Sequence, residues 1–325
     1  MNILIDARWI NTSNIDGISN FTINIIKELL NNFGDKFYIL LKNKEEYHFL
    51  RKNFNLNSEK VIFLDIKINS FKNIFKIRQL INNLNIKLYF SPNIVFFLPF
   101  INCKKIVVIH DIIPLIYKQY FKNASFKFKL FFTNRFIYKK ILNFSDKIIT
   151  VSNSTKKDLK KILKINKEIS VIYEGSFFSN KENNIEVLKE KYFLFVGRHE
   201  YYKNIHSLID LYNLLPLEIK NSYKLIIIGK FYNKYTDYLK NKVRNYNLDN
   251  NIVFIDNLLP NEILKYYKNC FILIHLSLYE GFGLTILEAM SFGKPVIAYN
   301  VSSIPEILKE KELLFQVNDV ENIKK

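Results

Sequence analysis

Phe271-Ile272-Leu273-Ile274 is an apolar run that leads through Ser277-Leu278-Tyr279-Glu280-Gly281-Phe282-Gly283 into Leu284-Thr285-Ile286-Leu287-Glu288-Ala289-Met290, and the stretch closes at Gly293-Lys294-Pro295. The opening run is near-continuous rather than alternating, as a strand buried on both faces should be. Ile286, Leu287, Ala289 and Met290 carry helical spacing, and Gly293 with Pro295 is a helix stop signal. Strand, glycine loop and helix in that order make one strand–helix unit of a parallel sheet.

The same alternation extends in both directions. Apolar runs recur at Ile3-Leu4-Ile5, Phe37 to Leu41, Val61 to Leu64, Lys87 to Phe90, Ile106 to Ile109 and Ile148 to Val151. They resume at Tyr192 to Val196, Leu225 to Ile228, Ile252 to Ile255 and Pro295 to Ala298. Helical spacing fills the intervals, as in Ile25, Ile26, Leu29 and Leu30, or Leu208, Ile209, Tyr212 and Leu215. Between the two series lies a polar, weakly patterned stretch. The sequence therefore predicts an α/β protein: a Rossmann-like domain over 1–175, a linker over 176–191, and a second Rossmann-like domain over 192–325. Ligands of such sheets sit at the carboxyl ends of the strands, so two facing sheets would make an interdomain cleft.

With 325 residues, 49% of them hydrophobic and 24% charged, the chain is long enough for two ordinary cores. Its two cysteines, Cys103 and Cys270, are too few for a disulfide framework or a zinc site. The start lacks the basic and apolar regions of a signal peptide, and no run is long and apolar enough to span a bilayer. These features predict a cytoplasmic or peripheral protein, not a membrane-spanning one. The formal net charge of +18 fits attraction to nucleic acid, lipid or a phosphate substrate, or simply AT-rich coding.

Four segments carry residues able to do chemistry. In the first, Gly281 and Gly283 let the backbone approach a ligand, and the first turn of the following helix favours an anion. Glu280 before that helix and Glu288 one turn inside it can accept hydrogen bonds from ligand hydroxyls, each contributing about 1.5–3 kcal/mol. In the second, Phe195-Val196-Gly197-Arg198-His199-Glu200-Tyr201-Tyr202-Lys203-Asn204, Arg198 and Lys203 sit at opposite ends of a strand-to-helix loop and could neutralise a diphosphate. In the third, His110-Asp111-Ile112-Ile113-Pro114 ends an apolar strand, which aims His110 at the cleft and leaves Asp111 to orient it or the loop. The fourth is Asp16-Gly17-Ile18-Ser19-Asn20-Phe21, in which Gly17 precedes a helix with Ser19 or Asn20 as its cap. Taken singly, each is open to a blander interpretation: solvated glutamates, surface cations, a structural histidine, a capping loop. A fifth segment, Phe121 to Phe144, interleaves lysines and arginine with aromatics and suits either a membrane interface or an ordinary surface helix.

Glu280-Gly281-Phe282-Gly283-Leu284 with Glu288, followed by Ala289-Met290-Ser291-Phe292-Gly293-Lys294-Pro295-Val296-Ile297-Ala298, resembles glycosyltransferase family 4. The Gly197-Arg198 to Lys203-Asn204 loop and the His110-Asp111-x-x-Pro114 string are similar to two further motifs of that family. The resemblance implies retaining enzymes of the GT-B fold, two Rossmann-like domains facing each other across a cleft. It implies that Glu280 contacts the donor sugar and Glu288 the ribose hydroxyls, with backbone contacts from Phe282, Gly283 and Leu284. It implies Arg198 and Lys203 at the donor phosphates, His110 near the reacting centre, and Gly17 near phosphate and acceptor.

By the same resemblance the protein moves a hexose, with GDP-mannose the first donor suggested, onto a glycan or lipid-linked acceptor in cell-surface polysaccharide synthesis. No Asp-x-Asp motif or cluster with metal-site spacing appears, so no metal or other cofactor is expected, and no nucleic-acid recognition motif appears either. The protein would work in the cytoplasm, or peripherally on the inner face of the plasma membrane. The chain departs from the family pattern at Asn20-Phe21 and at Leu276. It also stops at Asn322-Ile323-Lys324-Lys325, where family members continue through helices that close the second domain. A shortened C-terminal end keeps a second expectation open, an inactive or truncated GT-B remnant acting as a binding partner.

Overall fold

The structure, a computed structural model, describes residues 2–12, 15–34, 36–54, 56–66, 71–94, 98, 101–118, 133–176, 178, 186, 188, 190–231 and 233–323. The chain divides into two compact units, Met1–Glu174 and Gly175–Lys325. Most of the expected linker over 176–191 and the first part of the basic aromatic segment, residues 121–132, lie outside the described residues.

In the first unit the strands are β1 (Ile3–Asp6), β2 (Phe37–Leu41), β3 (Val61–Phe63), β4 (Leu88–Ser91), β5 (Lys104–Ile109), β6 (Lys147–Thr150) and β7 (Ile169–Val171). They form one parallel sheet in the order β3-β2-β1-β4-β5-β6-β7. The helices are α1 (Gly17–Phe33), α2 (Lys44–Asn53), α3 (Phe71–Asn83), α4 (Ile113–Ile116), α5 (Arg135–Asn143) and α6 (Asn153–Leu163). Side chains alternate across a strand, so β1 serves two cores. Ile5 packs with Ile23 and Ile26 of α1 and Leu50 of α2, while Leu4 packs with Ile77 and Ile81 of α3. Both faces are covered, which is why Ile3-Leu4-Ile5 is apolar without alternation.

The second unit repeats the plan. Strands β8 (Tyr192–Val196), β9 (Lys224–Ile228), β10 (Ile252–Ile255), β11 (Ile272–His275), β12 (Val296–Tyr299) and β13 (Leu314–Phe315) run parallel in the order β10-β9-β8-β11-β12-β13. The helices are α7 (Ile205–Asn213), α8 (Leu217–Ser222), α9 (Asn233–Asn245), α10 (Pro260–Asn269), α11 (Leu284–Ser291), α12 (Ile304–Ile307) and α13 (Val320–Ile323). Phe193 and Phe195 of β8 join α7 and α9 in one core; Tyr192, Leu194 and Val196 join α10 and α11 in the other. In each sheet the order reverses beside its first strand, and that reversal is where such sheets bind ligands.

Some details differ from expectation. The edge strands β7 and β13, of three and two residues, are too short to show a periodicity in the sequence. The cap of α1 is neither Ser19 nor Asn20 but Asp16, whose carboxylate accepts the Ser19 N–H at 2.8 Å; Gly17 is the first helical residue. Ser19 and Asn20 are instead buried in the first turn. At the end of β1 a buried polar cluster forms: Arg8 donates to both Asp6 oxygens at 2.8 and 2.6 Å and to Asn73 at 2.7 Å, and the Tyr89 hydroxyl donates to Asp6 at 2.6 Å. Among the described residues no helix is long and apolar enough to cross a membrane.

Candidate functional site

In the second unit two loops meet at the reversal of strand order, one after β8 and one after β11. The first leaves β8 at Gly197, beside Gly229 at the end of β9. A Cβ on Gly229 would overlap the Gly197 carbonyl oxygen, so this approach of the two backbones requires glycine at 229. Arg198 follows with its side chain 54% exposed and 3.6 Å from Glu200. His199 is buried, stacks on Phe231 at 4.9 Å and sits 3.1 Å from the Thr236 hydroxyl. Burial pushes it down to about 4, so the positive charge of this loop comes from Arg198 and Lys203. A single 3-10 turn, Tyr201–Lys203, then turns Lys203 inward before α7 begins.

The second loop brings Glu280 to that lysine. Lys203 Nζ donates to Glu280 Oε1 at 2.7 Å and to Oε2 at 3.0 Å, with both side chains largely covered. His275 Nε2 lies 2.8 Å from Oε1, and the Leu278 N–H donates to the Tyr202 carbonyl at 2.8 Å, binding the loops together. Burial alone would raise the Glu280 carboxyl, but the Lys203 charge and the His275 hydrogen bond outweigh it and hold the group well below the usual carboxylate range. The loop backbone is braced from the next connection. Glu280 N–H donates to Ser302 Oγ at 2.8 Å, and Ser303 Oγ donates to the carbonyls of Glu280 and Phe282 at 3.0 and 2.7 Å.

Gly283 caps α11 at φ +114°, a conformation open to glycine, and Leu284 is the first helical residue. Phe282 is buried. Glu288 stands one turn further on and accepts the Tyr267 hydroxyl at 2.6 Å. Burial, reinforced by Glu288, raises the Tyr267 phenol well above its ordinary value, so it stays protonated and donates. Gly293, at φ +68°, closes the helix with Gly293 N–H to Met290 and Lys294 N–H to Ala289.

The first unit carries the other two expected residues. His110 follows β5, and both ring nitrogens are engaged: Nδ1 is 2.8 Å from Glu174 Oε1, and Nε2 is 2.8 Å from the Pro92 carbonyl. Both partners only accept, so the ring must donate twice, as an imidazolium. Burial lowers its pKa, yet Glu174, the Pro92 carbonyl and Asp111 together raise it above the ordinary histidine value. Asp111 also accepts the Ile113 N–H at 2.9 Å, orienting the loop backbone. Phe21 of α1 packs edge-on against His110 at 5.0 Å, so the helix that Gly17 begins adjoins the histidine.

The structure thus brings Lys203 and Glu280 into contact, with Phe282, Gly283, Leu284 and Glu288 on the same loop and helix. In the other unit it sets Phe21, on the helix that Gly17 begins, against His110, and it does not bring Gly17 itself to the histidine. Sequence reasoning missed His275, Ser302, Ser303, Tyr267 and Glu174. Among the described residues no cluster of three histidine, cysteine or acidic side chains is placed to hold a metal ion.

The family model for glycosyl transferases group 1 matches residues 176–325, and that for Glycosyltransferase Family 4 matches residues 15–175. The chain belongs to the group 1 glycosyltransferases. Among curated relatives of this glycosyltransferase, the serotype-specific mannosyltransferase WbdA of Escherichia coli is 28% identical over 238 residues, 68% of this chain and 28% of WbdA. The O-antigen chain mannosyltransferase RfbU of Salmonella typhimurium is 32% identical over 222 residues, 66% of this chain and 57% of RfbU. The matched part thus spans a little over a quarter of WbdA and just over half of RfbU. Among solved structures, Anabaena HepE in complex with UDP and glucose superposes with a TM-score of 0.75 at 18% identity, covering 100% of this chain and 88% of HepE. WaaG, a glycosyltransferase involved in lipopolysaccharide biosynthesis, gives 0.66 at 13%, covering 100% and 88%. These likenesses show the fold: α/β with two Rossmann-like units, the GT-B class.

Proposed function

We propose that this glycosyltransferase moves a hexose from a nucleoside-diphosphate sugar to a glycan or lipid-linked acceptor in cell-surface polysaccharide synthesis, with retention of anomeric configuration and without a metal. The observation that carries the reading is the Lys203–Glu280 pair at the strand-order reversal of the second unit, a cation for phosphate beside an anion for sugar hydroxyls. In the reaction the bond from the anomeric carbon to the diphosphate oxygen breaks, and the diphosphate leaves with the electron pair. A bond to an acceptor oxygen forms, and the acceptor proton is released. Arg198 and Lys203 stabilise the leaving diphosphate, joined by the N–H groups at Gly283 and Leu284. Glu280 accepts donor-sugar hydroxyls and Glu288 the ribose hydroxyls. His110 serves the reacting centre from the first unit, with Gly17 near the phosphate and the acceptor.

In this reading residues 1–175 form the acceptor-side domain, 176–191 the linker and 192–325 the nucleotide-sugar domain. The names of WbdA and RfbU support mannose, hence GDP-mannose, while UDP and glucose in HepE make UDP-glucose the competing donor. We place the enzyme at the cytoplasmic face of the plasma membrane, where the basic charge favours anionic lipid. Thermal unfolding in the presence of GDP-mannose, GDP, UDP-glucose and UDP tests the donor. At one hundred times its dissociation constant a true donor stabilises the protein by about 2.7 kcal/mol. No upward shift with any of the four would overturn the reading.

A further inference from the structure

We propose that His275 is a positioning residue for Glu280, its Nε2–H filling one carboxylate oxygen so that the other keeps a single accepting position for a donor-sugar hydroxyl. The inference rests on the reading that Glu280 takes the sugar.

His275 is the last residue of β11 and is fully buried. Its ring lies nearly parallel to that of Phe195, at 6.2 Å and 15°, which fixes its plane. The Thr285 hydroxyl stands 3.3 Å from Nδ1, at the start of α11, and holds the other edge. Nε2 faces Glu280 Oε1 at 2.8 Å; a carboxylate only accepts, so Nε2 carries the proton.

Each carboxylate oxygen has two accepting positions. Oε1 takes Lys203 and His275, which uses both; Oε2 takes Lys203, which leaves one. The terminal torsion of a glutamate is broad, so Glu280 alone does not fix the plane of its carboxylate. Lys203 and His275 together fix it, and His275 fills the accepting position that Lys203 leaves on Oε1. His275 therefore sets how many hydroxyls the carboxylate can accept and from which side.

Two variants separate this role from a packing role. His275→Phe keeps a ring against Phe195 but has no donor; His275→Gln keeps a donor. Calorimetric titration with GDP and GDP-mannose, and with UDP and UDP-glucose, compares each bare nucleotide with its sugar. The expected result is unchanged binding of the bare nucleotides, about tenfold weaker binding of the nucleotide sugar to His275→Phe, and recovery to within about threefold in His275→Gln. Equal weakening of nucleotide and nucleotide sugar, or no weakening in His275→Phe, would overturn the proposal. A second measurement does not depend on any ligand. Long-range proton–nitrogen NMR of the ring should show Nε2 protonated, with a resonance that moves on Glu280→Gln. An unprotonated Nε2 would overturn the proposal. If the wild type binds none of the four ligands, the donor reading fails while this spectrum still decides His275.

Discussion

Glu280 is buried and His110 largely covered, yet in both the neighbours outweigh desolvation, and they respond to pH in opposite senses. Glu280 is held as a carboxylate, so its contribution to stability is present above the unfolded value of about 4.3 and is lost as pH falls through its depressed folded value. His110 is raised, so its contribution is present below about 6.5 and is lost as pH rises through its folded value. Wild type should therefore exceed His110→Gln in melting temperature by most at mildly acidic pH, with the gap closing as the solution turns alkaline. A gap that stays constant from pH 6 to 9 would show that the ring is not an imidazolium. Glu280→Gln and Lys203→Ala should each abolish transfer while the chain still folds. Lys203→Ala strands a covered carboxylate and should destabilise the second unit by about 3 kcal/mol, read from its denaturant transition. Normal turnover by either variant would remove these residues from the site. Glu280 and Glu288 were legible because strand, glycines and helix surround them within one short string. Glu174 was not: it meets His110 across 64 residues, and nothing local marks it. His275 stands where His110 does, at the carboxyl end of a strand, and only the fold reveals that its ring meets Glu280.

Caps and crossings set how firmly the elements hold these groups. Asp16 both caps α1 and accepts the Trp9 indole N–H at 3.1 Å, tying the loop after β1 to the helix beside His110. Asp16→Ala should cost about 1 kcal/mol in urea unfolding, and Asp16→Asn should recover most of it. Gly229 is stricter, because any side chain strikes the backbone at Gly197. Gly229→Ala should force β8 and β9 apart at the mouth of the candidate site and lower both soluble yield and nucleotide binding. Unchanged yield and binding would show that the crossing can relax. The long internal strands could be read from sequence because burial on both faces leaves a continuous apolar run. The edge strands β7 and β13 could not, since their pairing is decided by neighbours rather than by their own few residues. The cap of α1 is hidden for a similar reason: Asp16, Ser19 and Asn20 lie within five positions and all suit the role, and only the backbone path selects Asp16.

Across the molecule, 48 basic residues against 30 acidic ones leave +18, a charge whose self-repulsion opposes the folded state. The screening length falls from about 10 Å at 0.1 M salt to about 3 Å at 1 M. Thermal unfolding should therefore shift upward as sodium chloride rises from low to moderate concentration. A flat response would mean that the ion pairs within each unit already balance the charge. The two-unit plan was visible in the sequence as two series of runs with a polar interval, and the two sheets share one strand order over six strands, with β7 added at the edge of the first.

That shared order has a consequence for how two similar sheets divide the work. Where the first strand of the second unit ends in glycine and an exposed arginine, the first strand of the first unit ends in a guanidinium already clasped by Asp6, Asn73 and the Tyr89 hydroxyl. Arg8 is 5% exposed and neutralised from within, so it offers no free charge to a phosphate. If the second unit takes the nucleotide, as proposed, the matching position in the first is closed to phosphate by its own side chains.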